Sequence, residues 1–494
     1  MIALCAVNAT YQYPSLGIRS LLANMGELAG QTSLMEFSIK RDVEEIVEAI
    51  LLARPAILGL GVYIWNVEHV TQICSQLRDC APEIHIVLGG PEVSFEWGQH
   101  PICQFVDVVI QGEADLAFAS HCRDYLSGRW SPKSGGAQVI PAALPDLSQL
   151  RMPYHLYTDS DLRNRHISVE ASRGCPFKCQ FCLSSLDRNV RSFPIDAFLD
   201  QMESLLNRGA RNFKFIDRTF NLSPKVCDRI LRFFLGHKDR GLFLHFEMVP
   251  DRLPSAVREL VAQFPEGSIQ FEIGLQTLNE EVAHRIQRHN QWGKVVENFS
   301  FLTQKTHVHI HADLIAGLPG EDLKSFADGF DRLLALNPHE IQVGILKRLK
   351  GTPIAQHTEE WEMVYSRVAP YQVLRTRTMS FEDLLWISRF AKYWDRIYNR
   401  GLYPNVIKML WELRDQRLHP SSFWQFMDLV RFMHRLHPTT YGLSQLAMVR
   451  SIVSYLRDIH RLPEHRVLES VATDYRAKGL RELPRFLRVP RGGA

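Results

Sequence analysis

Short apolar runs alternate with amphipathic stretches along the first part of the chain. The apolar runs have the length of buried strands, and the stretches between them carry apolar residues at helical spacing. This alternation predicts a Rossmann-like α/β domain at residues 1–135, with an open parallel sheet covered by helices on both faces. A segment rich in Pro, Gly and Ser predicts a linker at 136–160. The predicted strands are 2–7, 33–39, 56–62, 84–88 and 106–110, and the predicted helices are 16–28, 43–52 and 67–80.

The alternation resumes with a longer period over residues 161–358. Six strand–helix units are too few to close an eightfold barrel, so the pattern predicts a partial (β/α)6 barrel. From residue 359 to 494 the strand pattern stops and a helical domain is predicted, whose many aromatic residues we expect in its core. The predicted barrel strands are 167–171, 212–217, 242–247, 269–274, 308–315 and 341–346; the predicted helices are 196–208, 225–235, 255–264, 280–288, 294–304 and 323–336.

Composition adds few constraints. The net charge of +3 points to no particular partner, so no nucleic acid is indicated. No apolar run approaches the ~20 residues that cross a bilayer, so no membrane association is predicted. The nine cysteines and the absence of a signal-peptide pattern at the start predict a reducing, cytoplasmic location.

The densest chemical signal is a loop that follows the first barrel strand and contains Cys175, Cys179 and Cys182. A [4Fe–4S] cluster normally takes four thiolates, so a set of three predicts a cluster with one open iron. Two alternatives exist. A structural zinc site would need a fourth ligand, for which His166 is badly placed, and three inert buried cysteines fit poorly with the polar neighbours Arg173 and Lys178.

Polar and glycine-rich segments follow the strands of both predicted sheets. Ligands of open parallel sheets and barrels bind at these carboxyl ends of strands. The first sheet lacks a Gly-x-Gly-x-x-Gly motif, which disfavours a dinucleotide. The candidate residues in the first sheet are Asn8, Tyr11, Tyr63, Gly89, Gly90, Gly112 and Glu113; those in the barrel are Asp217, Glu247, Glu272, Gln276, Gly317, Leu318 and Pro319.

The cysteine loop resembles the signature of the radical S-adenosylmethionine (SAM) superfamily, and the strand ends behind it match that barrel unit by unit. The resemblance implies that the three cysteines bind the cluster and that SAM chelates its open iron. It implies that Phe181 lies near the adenine, that Glu272 and Gln276 bond the ribose, and that the backbone of Gly317, Leu318 and Pro319 approaches the adenine. For Asp217 and Glu247, contact with cofactor or substrate and structural hydrogen bonding are both open.

The first domain resembles the cobalamin-binding domain that precedes many radical SAM enzymes. Gly89 and Gly90 match the glycines beside the nucleotide tail of cobalamin, and Gly112 and Glu113 match a Gly-Glu element. Asn8, Tyr11 and Tyr63 lie in the neighbouring loops and are expected to contact the same cofactor. The Asp-x-His-x-x-Gly motif, whose histidine binds cobalt, is absent, so the lower ligand of cobalt is not predicted. The alternative is a remnant sheet that only covers the barrel mouth.

The resemblance implies a cobalamin-dependent radical SAM methyltransferase. In that family a 5′-deoxyadenosyl radical abstracts hydrogen from an unactivated carbon and methylcobalamin supplies the methyl group. A non-methylating cyclase or rearrangement enzyme with the same cofactors is the alternative enzyme, and a cobalamin or redox sensor without turnover is the alternative of another class. A methylthiotransferase is disfavoured because a second cysteine triad is not evident. The expected partners are a small-molecule or peptide substrate and an electron donor such as flavodoxin or ferredoxin.

Overall fold

We describe residues 1–131, 136–477 and 483–487 in a computed structural model. The N-terminal domain is a six-stranded parallel sheet with the order β2-β1-β3-β4-β5-β6. Apolar side chains on both faces of the sheet are buried under helices, which explains the continuous apolar runs of its strands. The strands are β1 Ile2–Asn8, β2 Thr32–Ser38, β3 Ile57–Gly61, β4 His85–Gly89, β5 Val108–Gln111 and β6 Gln138–Pro141; the helices are α1 Leu16–Ala23, α2 Val43–Ala53, α3 Val67–Cys80, α4 Pro91–Ser94 and α5 Ala117–Leu126.

The five predicted strands of this sheet are confirmed, but the predicted boundary of the linker is wrong. Strand β6 lies inside the predicted linker 136–160 and pairs in parallel with β5. Its only apolar positions, Val139 and Ile140, are flanked by Pro and Gly, so no periodicity marks it. The strand forms because the backbone of β5 offers an open edge for pairing.

The central domain is a second six-stranded parallel sheet with the sequential order β14-β13-β12-β11-β10-β7, which confirms the partial barrel. A short antiparallel ladder of β8 and β9 brackets the cysteine loop. The strands are β7 Ile167–Val169, β8 Ser172–Arg173, β9 Arg191–Ser192, β10 Asn212–Phe215, β11 Phe243–Met248, β12 Ile269–Gln276, β13 His309–Ala316 and β14 Glu340–Ile345; the helices are α6 Asp159–Asn164, α7 Ile195–Asn207, α8 Pro224–Leu235, α9 Ser255–Val261, α10 Glu280–Arg285, α11 Trp292–Lys305 and α12 Leu323–Leu334.

The C-terminal region is helical, as predicted, but it begins with a two-stranded hairpin that the sequence pattern did not reveal. The hairpin strands are β15 Val364–Tyr365 and β16 Val373–Arg375; the helices are α13 Phe381–Trp394, α14 Pro404–Asp415, α15 Ser422–Leu436, α16 Gln445–Ser454 and α17 Glu464–Arg476. The expected aromatic core is confirmed: Phe390, Trp394 and Phe423 are fully buried and pack on Phe330 of α12. This region therefore continues the core of the barrel instead of forming a separate one.

The open edge of the barrel sheet is covered by this helical region. The Asn399 side chain accepts a hydrogen bond from the Ile341 amide at 3.0 Å and donates one to the Ile341 carbonyl at 3.1 Å. An amide side chain thus replaces a seventh strand at β14, which satisfies backbone groups that an exposed edge would leave open.

Polar contacts join the N-terminal domain to the barrel on both sides of the barrel mouth. On one side, Arg173 binds Asp115 and Glu113. On the other, the buried Glu92 accepts a hydrogen bond from the Tyr371 hydroxyl at 2.6 Å and pairs with Lys350 at 3.2 Å. No helix within the described residues has the length and apolar character that a membrane span requires.

Candidate active site

A cavity of about 710 Å3 lies at the carboxyl edge of the N-terminal sheet, between that sheet and the barrel. We call it the sheet-edge cavity. In the order β2-β1-β3, β2 is added on one side of β1 and β3 on the other, so the strand order switches between β1 and β3. Ligands of such sheets bind outside this point. The loops after β1, β3, β4 and β5 line one side of the cavity, and barrel residues Ser168, Glu170, Arg173, Lys214 and Ile216 line the other.

The cavity extends deeply between the sheet and its helices. Its inner part is lined by the small residues Ala6, Gly17 and Gly59, with Ile18 of α1 and Phe118 of α5 beside them. Apolar walls of this kind are usual for a cofactor pocket. A large, partly apolar ligand fits a cavity of this size and lining.

Five of the seven residues predicted in this domain line the sheet-edge cavity: Asn8, Tyr63, Gly89, Gly90 and Gly112. Tyr11 does not line it; its exposed ring lies under the Arg165 guanidinium, 4.7 Å away. Glu113 also points elsewhere, because it forms ion pairs with Arg173 and Arg191.

The cysteine loop is held by backbone contacts on both sides. The Cys175 amide donates to the Asp187 carbonyl at 2.9 Å, and the Gln180 amide donates to the Ile286 carbonyl at 3.0 Å. Gly174 has φ +90°, and a Cβ at this position would lie 2.3 Å from the Asn189 carbonyl oxygen. A glycine is therefore required for the loop to pack against residues 187–189.

The three cysteines line one cavity of about 150 Å3, which we call the cysteine cavity. Cys175 and Cys179 are buried and Cys182 is partly exposed. Burial raises the pKa of the Cys179 thiol, while the Arg288 guanidinium, 3.8 Å from its sulfur, opposes that shift. Among the described residues, no group of three or more His, Cys, Asp or Glu side chains converges as ligands of a single ion.

Phe181 of the cysteine loop lines the cysteine cavity, and so do Glu247, Glu272 and Gln276 from the barrel strands. The buried Asp217 instead lies beneath the loop, where its carboxylate accepts hydrogen bonds from the Ala171 amide at 3.0 Å and the Ser172 hydroxyl at 2.6 Å. Of the two interpretations of Asp217, the geometry therefore supports structural hydrogen bonding. Burial raises its pKa to about 6.

Gly317 and Leu318 lie outside the residues that line the cysteine cavity. A Cβ on Gly317 would lie 2.5 Å from Val373 of the hairpin, and Leu318 is fully buried. The Pro319 carbonyl accepts a hydrogen bond from Arg285 at 2.7 Å. This turn packs against the C-terminal region in the present structure, and its predicted role at an adenine stays a prediction.

Fully buried residues alternate with half-buried residues along β12 and β13. Most of the half-buried residues are polar, so the barrel interior is polar. Glu272 on β12 lies 2.9 Å from His245 Nε2 and 3.9 Å from Lys214 Nζ. Burial would raise the pKa of Glu272, but the close contact with His245 and the charge of Lys214 lower it to about 2. Burial raises the pKa of the neighbouring Glu247 to about 7, and the Glu272 charge adds to that shift.

A row of acids and histidines continues across β13 to β14. His311 Nε2 lies 3.2 Å from Asp313 Oδ1, and His311 Nδ1 lies 3.2 Å from Glu340 Oε2. The first contact is within ion-pair distance but poorly directed, so His311 Nε2 and Asp313 Oδ1 both lack a good hydrogen-bond partner. Burial would lower the pKa of His311, but the two carboxylates raise it to about 10.

Lys214 and Glu272 connect the two cavities. Lys214 lines the sheet-edge cavity, Glu272 lines the cysteine cavity, and their charged atoms are 3.9 Å apart. Sequence reasoning assigned no role to Lys214, His245, His311, Asp313 or Arg288. For the strand residues a signal existed, because His309, His311 and Asp313 lie at alternate positions of β13 and mark an inward polar face.

Three regions of the chain match known families. Residues 169–333 match the Radical SAM superfamily, and residues 2–120 match the B12 binding domain. The chain belongs to the B12-binding radical SAM family. Residues 359–491 match a family of proteins of unknown function, DUF4080, which agrees with the extra helical region. Membership supports all three predicted cofactors: a [4Fe–4S] cluster, SAM and cobalamin.

The similar proteins include methyltransferases. The cobalamin-dependent radical SAM methyltransferase TokK of Streptomyces tokunonensis is 25% identical over 69% of this chain and 54% of its own length. The 2-(S-pantetheinyl)-carbapenam-3-carboxylate methyltransferase of Streptantibioticus cattleyicolor is 24% identical over 83% of this chain and 66% of its own length. The chain thus spans little more than half to about two thirds of these curated relatives.

Solved structures share the fold across the domains. The cobalamin-dependent SAM radical enzyme OxsB, with aqua-cobalamin and SAM bound, matches with a TM-score of 0.63 at 13% identity, over 98% of this chain and 82% of its own. The radical SAM methyltransferase TsrM of Kitasatospora setae, with cobalamin and a [4Fe–4S] cluster bound, matches with a TM-score of 0.59 at 16% identity, over 75% and 79%.

Proposed function

We propose that this protein is a cobalamin-dependent radical SAM methyltransferase that acts on an unactivated carbon. The observation that carries the proposal is the pair of cavities that meet at Lys214 and Glu272, one at a B12-binding sheet and one at the cysteine loop. Methyl transfer to a carbon needs both cofactors to reach one substrate. Similarity to two proteins named as methyltransferases supports the same assignment.

In this proposal Cys175, Cys179 and Cys182 hold the iron–sulfur cluster. The donor set fits, because three thiols on one loop leave one iron for SAM, and Phe177 and Phe181 line the same cavity. Arg288 supplies a positive charge at Cys179, which favours the thiolate form needed for ligation. When bound, the cluster with SAM supplies a carbon radical, and cobalamin supplies a transferable methyl group.

Glu272 and Gln276 would orient SAM at the end of β12. Glu272 stays ionised because the contact with His245 and the charge of Lys214 stabilise its carboxylate, so it is a strong acceptor for hydroxyl donors such as those of a ribose. Gln276 has φ +72° next to a bulge in the β12–β13 ladder, which turns its side chain out of the regular alternation. Both side chains line the cysteine cavity.

The sheet-edge cavity would hold cobalamin. Its volume and its glycine-lined edge at Gly89, Gly90 and Gly112 fit a large planar group. The barrel residues on the opposite wall would then close the cofactor between the two domains and limit the access of water.

The substrate would lie in the barrel interior between the two cofactors. Asp313 Oδ1 is buried without a well-directed partner, so it is available for a polar group of a substrate. Asp313 and Glu247 also line the cysteine cavity, so the same groups would orient the reacting carbon.

The test is anaerobic reconstitution with iron and sulfide, followed by addition of cobalamin, SAM, a reductant and an extract of candidate substrates. Formation of both 5′-deoxyadenosine and S-adenosylhomocysteine is expected. Deoxyadenosine alone would contradict methyl transfer, and the absence of both products from protein with full cluster and cobalamin content would contradict the assignment as an enzyme of this type.

Two cysteine variants give a matched control. Cys175→Ala should lose both products and most of the iron, since Cys175 lines the cysteine cavity. Cys227→Ala should keep both products and the iron. Cys227 is a buried residue of α8, and burial raises the pKa of its thiol to about 12, as expected for an inert thiol.

A further inference from the structure

A single residue fixes the middle of the cysteine loop from outside. Gln180 lies between two of the predicted cluster ligands, Cys179 and Cys182. Its backbone amide donates to the Ile286 carbonyl at 3.0 Å, and its carbonyl accepts from the Ile354 amide at 2.9 Å. Among the described residues, no other backbone group between the first and third cysteines has a hydrogen bond to a residue outside the loop. The backbone of this segment is therefore held at Gln180.

The side chain of Gln180 is held as well. Its Oε1 lies 2.5 Å from Nε2 of His357. An amide oxygen can only accept a hydrogen bond, so His357 donates from Nε2. Gln180 is 5% exposed and His357 is 8% exposed. Because both side chains are buried, removal of either one leaves the polar atom of the other without a partner and without water to replace it.

His357 belongs to a segment that is fixed independently of the cysteine loop. This segment follows β14, and its Ile354 side chain is fully buried in the barrel core. Upstream of it, Arg348 binds Glu96 of the N-terminal domain at 3.1 Å. Downstream, the His357 carbonyl accepts a hydrogen bond from the Trp361 amide at 3.0 Å. A side chain can hold a neighbour in place only if it is itself held, and His357 meets this condition.

Gln180 and His357 have no part in the proposed chemistry. Neither residue lines the cysteine cavity or the sheet-edge cavity, so neither is placed to contact a ligand in those cavities. They lie behind the predicted cluster ligands instead. In metal sites, such partners set the direction in which the ligands point, and their loss typically lowers metal affinity by about 10–100-fold.

We propose that Gln180 and His357 are positioning residues of the iron–sulfur site, whose hydrogen bond keeps Cys179 and Cys182 directed at one cluster. This inference rests on the proposed function, because it takes the three cysteines as cluster ligands, and it goes beyond the reaction because it concerns retention of the cluster. The hydrogen bond restrains the loop, so a thiolate that leaves an iron stays close and binds again. Without it the loop opens more often, and iron is lost.

The experiment measures iron release from the full-length reconstituted protein after an iron chelator is added in the absence of oxygen. His357→Leu removes the donor, and we expect iron release about tenfold faster than in the wild type. The EPR spectrum of the chemically reduced cluster should broaden, because the ligand positions then vary. His357→Gln should restore both properties, since its amide group can donate to Gln180.

A double-mutant cycle tests whether the two side chains act through one contact. Gln180→Leu removes the acceptor and leaves both backbone hydrogen bonds of this residue in place, so it should release iron about as fast as His357→Leu. The double variant should be no faster than either single variant, because both substitutions remove the same hydrogen bond. Effects that multiply in the double variant would show that the two side chains act separately and would contradict the proposal.

Two controls separate positioning from stability. His121 is a buried histidine of α5 in the N-terminal domain, and its Nε2 lies 2.8 Å from Nε2 of His85. His121→Leu should lower the unfolding temperature without a change in iron release. Gln356 is exposed, and its amide nitrogen lies 3.4 Å from Nε2 of His357, which as a donor cannot accept from it. Gln356→Ala should therefore release iron as the wild type does.

Wild-type iron release together with a wild-type EPR spectrum in His357→Leu would overturn the proposal. Equally fast release from His121→Leu at an equal loss of unfolding temperature would also overturn it, because stability alone would then explain the effect. Failure of the proposed function has a different signature. Wild-type protein with full cluster and cobalamin content would then form neither 5′-deoxyadenosine nor S-adenosylhomocysteine, whereas the iron-release measurement needs no SAM and no substrate.

Discussion

Arg173 binds Asp115 across the domain boundary, with Nη1 and Oδ2 2.8 Å apart. The same guanidinium binds Glu170 at 2.7 Å and Glu113 at 2.8 Å. Arg173 precedes Cys175 by two residues, and Glu113 and Asp115 follow β5 of the B12-binding sheet. A single side chain therefore ties the cysteine loop to the wall of the sheet-edge cavity.

The first prediction concerns this contact. In Arg173→Gln, three largely buried carboxylates lose their common cation. Breaking one buried ion pair lowers the free energy of unfolding by about 3 kcal/mol, and we expect a loss of this size. Asp115 and Glu170 line the sheet-edge cavity, so cobalamin affinity should also fall. Each 1.4 kcal/mol lost from the free energy of binding lowers the affinity about tenfold. Thermal unfolding and absorbance titration with hydroxocobalamin measure the two effects. Arg188→Gln, at an exposed position of the same loop, should change neither; unchanged affinity in Arg173→Gln would contradict the coupling.

The second prediction separates the two interpretations of Asp217. Asp217→Ala removes the acceptor of the Ala171 amide and the Ser172 hydroxyl, so the base of the cysteine loop should loosen and iron content after reconstitution should fall. Asp217→Asn should retain iron, since an amide can accept from the Ala171 amide and donate to the Ser172 hydroxyl. Iron analysis of the two variants decides the point. Equal losses in both would indicate that the negative charge itself contacts a cofactor.

The sequence predicted the fold well where its signals were strong, and it failed where tertiary contacts create the structure. All six barrel strands follow from their apolar runs, because each is buried by its neighbours. Strand β6 and the hairpin of β15 and β16 carry no such pattern. Strand β6 forms because β5 offers an edge for pairing, and β15 and β16 pair with each other. Short segments of this kind are decided by their surroundings.

The candidate site shows the same division. The cysteine loop and the glycines of the first sheet follow from spacing and composition, since the backbone geometry there restricts residue type. The role of Glu113 and the Lys214–Glu272 contact do not, because each joins residues more than fifty positions apart in sequence. The first depends on how two domains dock and the second on which barrel strands become neighbours, and a single sequence records neither.

The third prediction concerns pH and Glu321, which is buried in the turn after β13. Burial raises its pKa from 4.5 to about 8, although the Thr277 hydroxyl donates a hydrogen bond to Oε1 at 2.5 Å. The folded protein therefore holds a proton that the unfolded chain releases. This contribution is fully present below pH 4.5 and is lost as the pH rises to about 8, with a slope of up to about 1.4 kcal/mol per pH unit.

Glu321→Gln should remove that slope. The amide keeps the acceptor for Thr277 and cannot ionise, so variant and wild type should have similar stability near pH 5. Near pH 8 the variant should be the more stable of the two, as measured by urea unfolding of the protein without cofactors. Since other buried carboxyls titrate equally in both proteins, the difference isolates Glu321. Parallel curves across this range would show that Glu321 is ionised in the folded state.

The last prediction compares two adjacent glycines at the end of β4. Gly90 has φ +104°, and a Cβ there would lie 2.5 Å from the Val62 carbonyl oxygen. Gly90→Ala should therefore destabilise the N-terminal sheet whether or not a cofactor binds, because both the backbone angle and the contact with β3 forbid a side chain.

Gly89 differs, because a Cβ there would meet only the Ile110 carbonyl oxygen at 3.8 Å, an ordinary contact. Gly89→Ala should keep the wild-type unfolding temperature. Because Gly89 lines the sheet-edge cavity, the added methyl group would lie at the wall of that cavity. If cobalamin approaches this backbone closely, its affinity should fall while the fold stays intact. Thermal unfolding and hydroxocobalamin titration of both variants give the comparison. Wild-type affinity in Gly89→Ala would mean that Gly89 serves the fold alone, and that the cofactor contacts other residues of this edge.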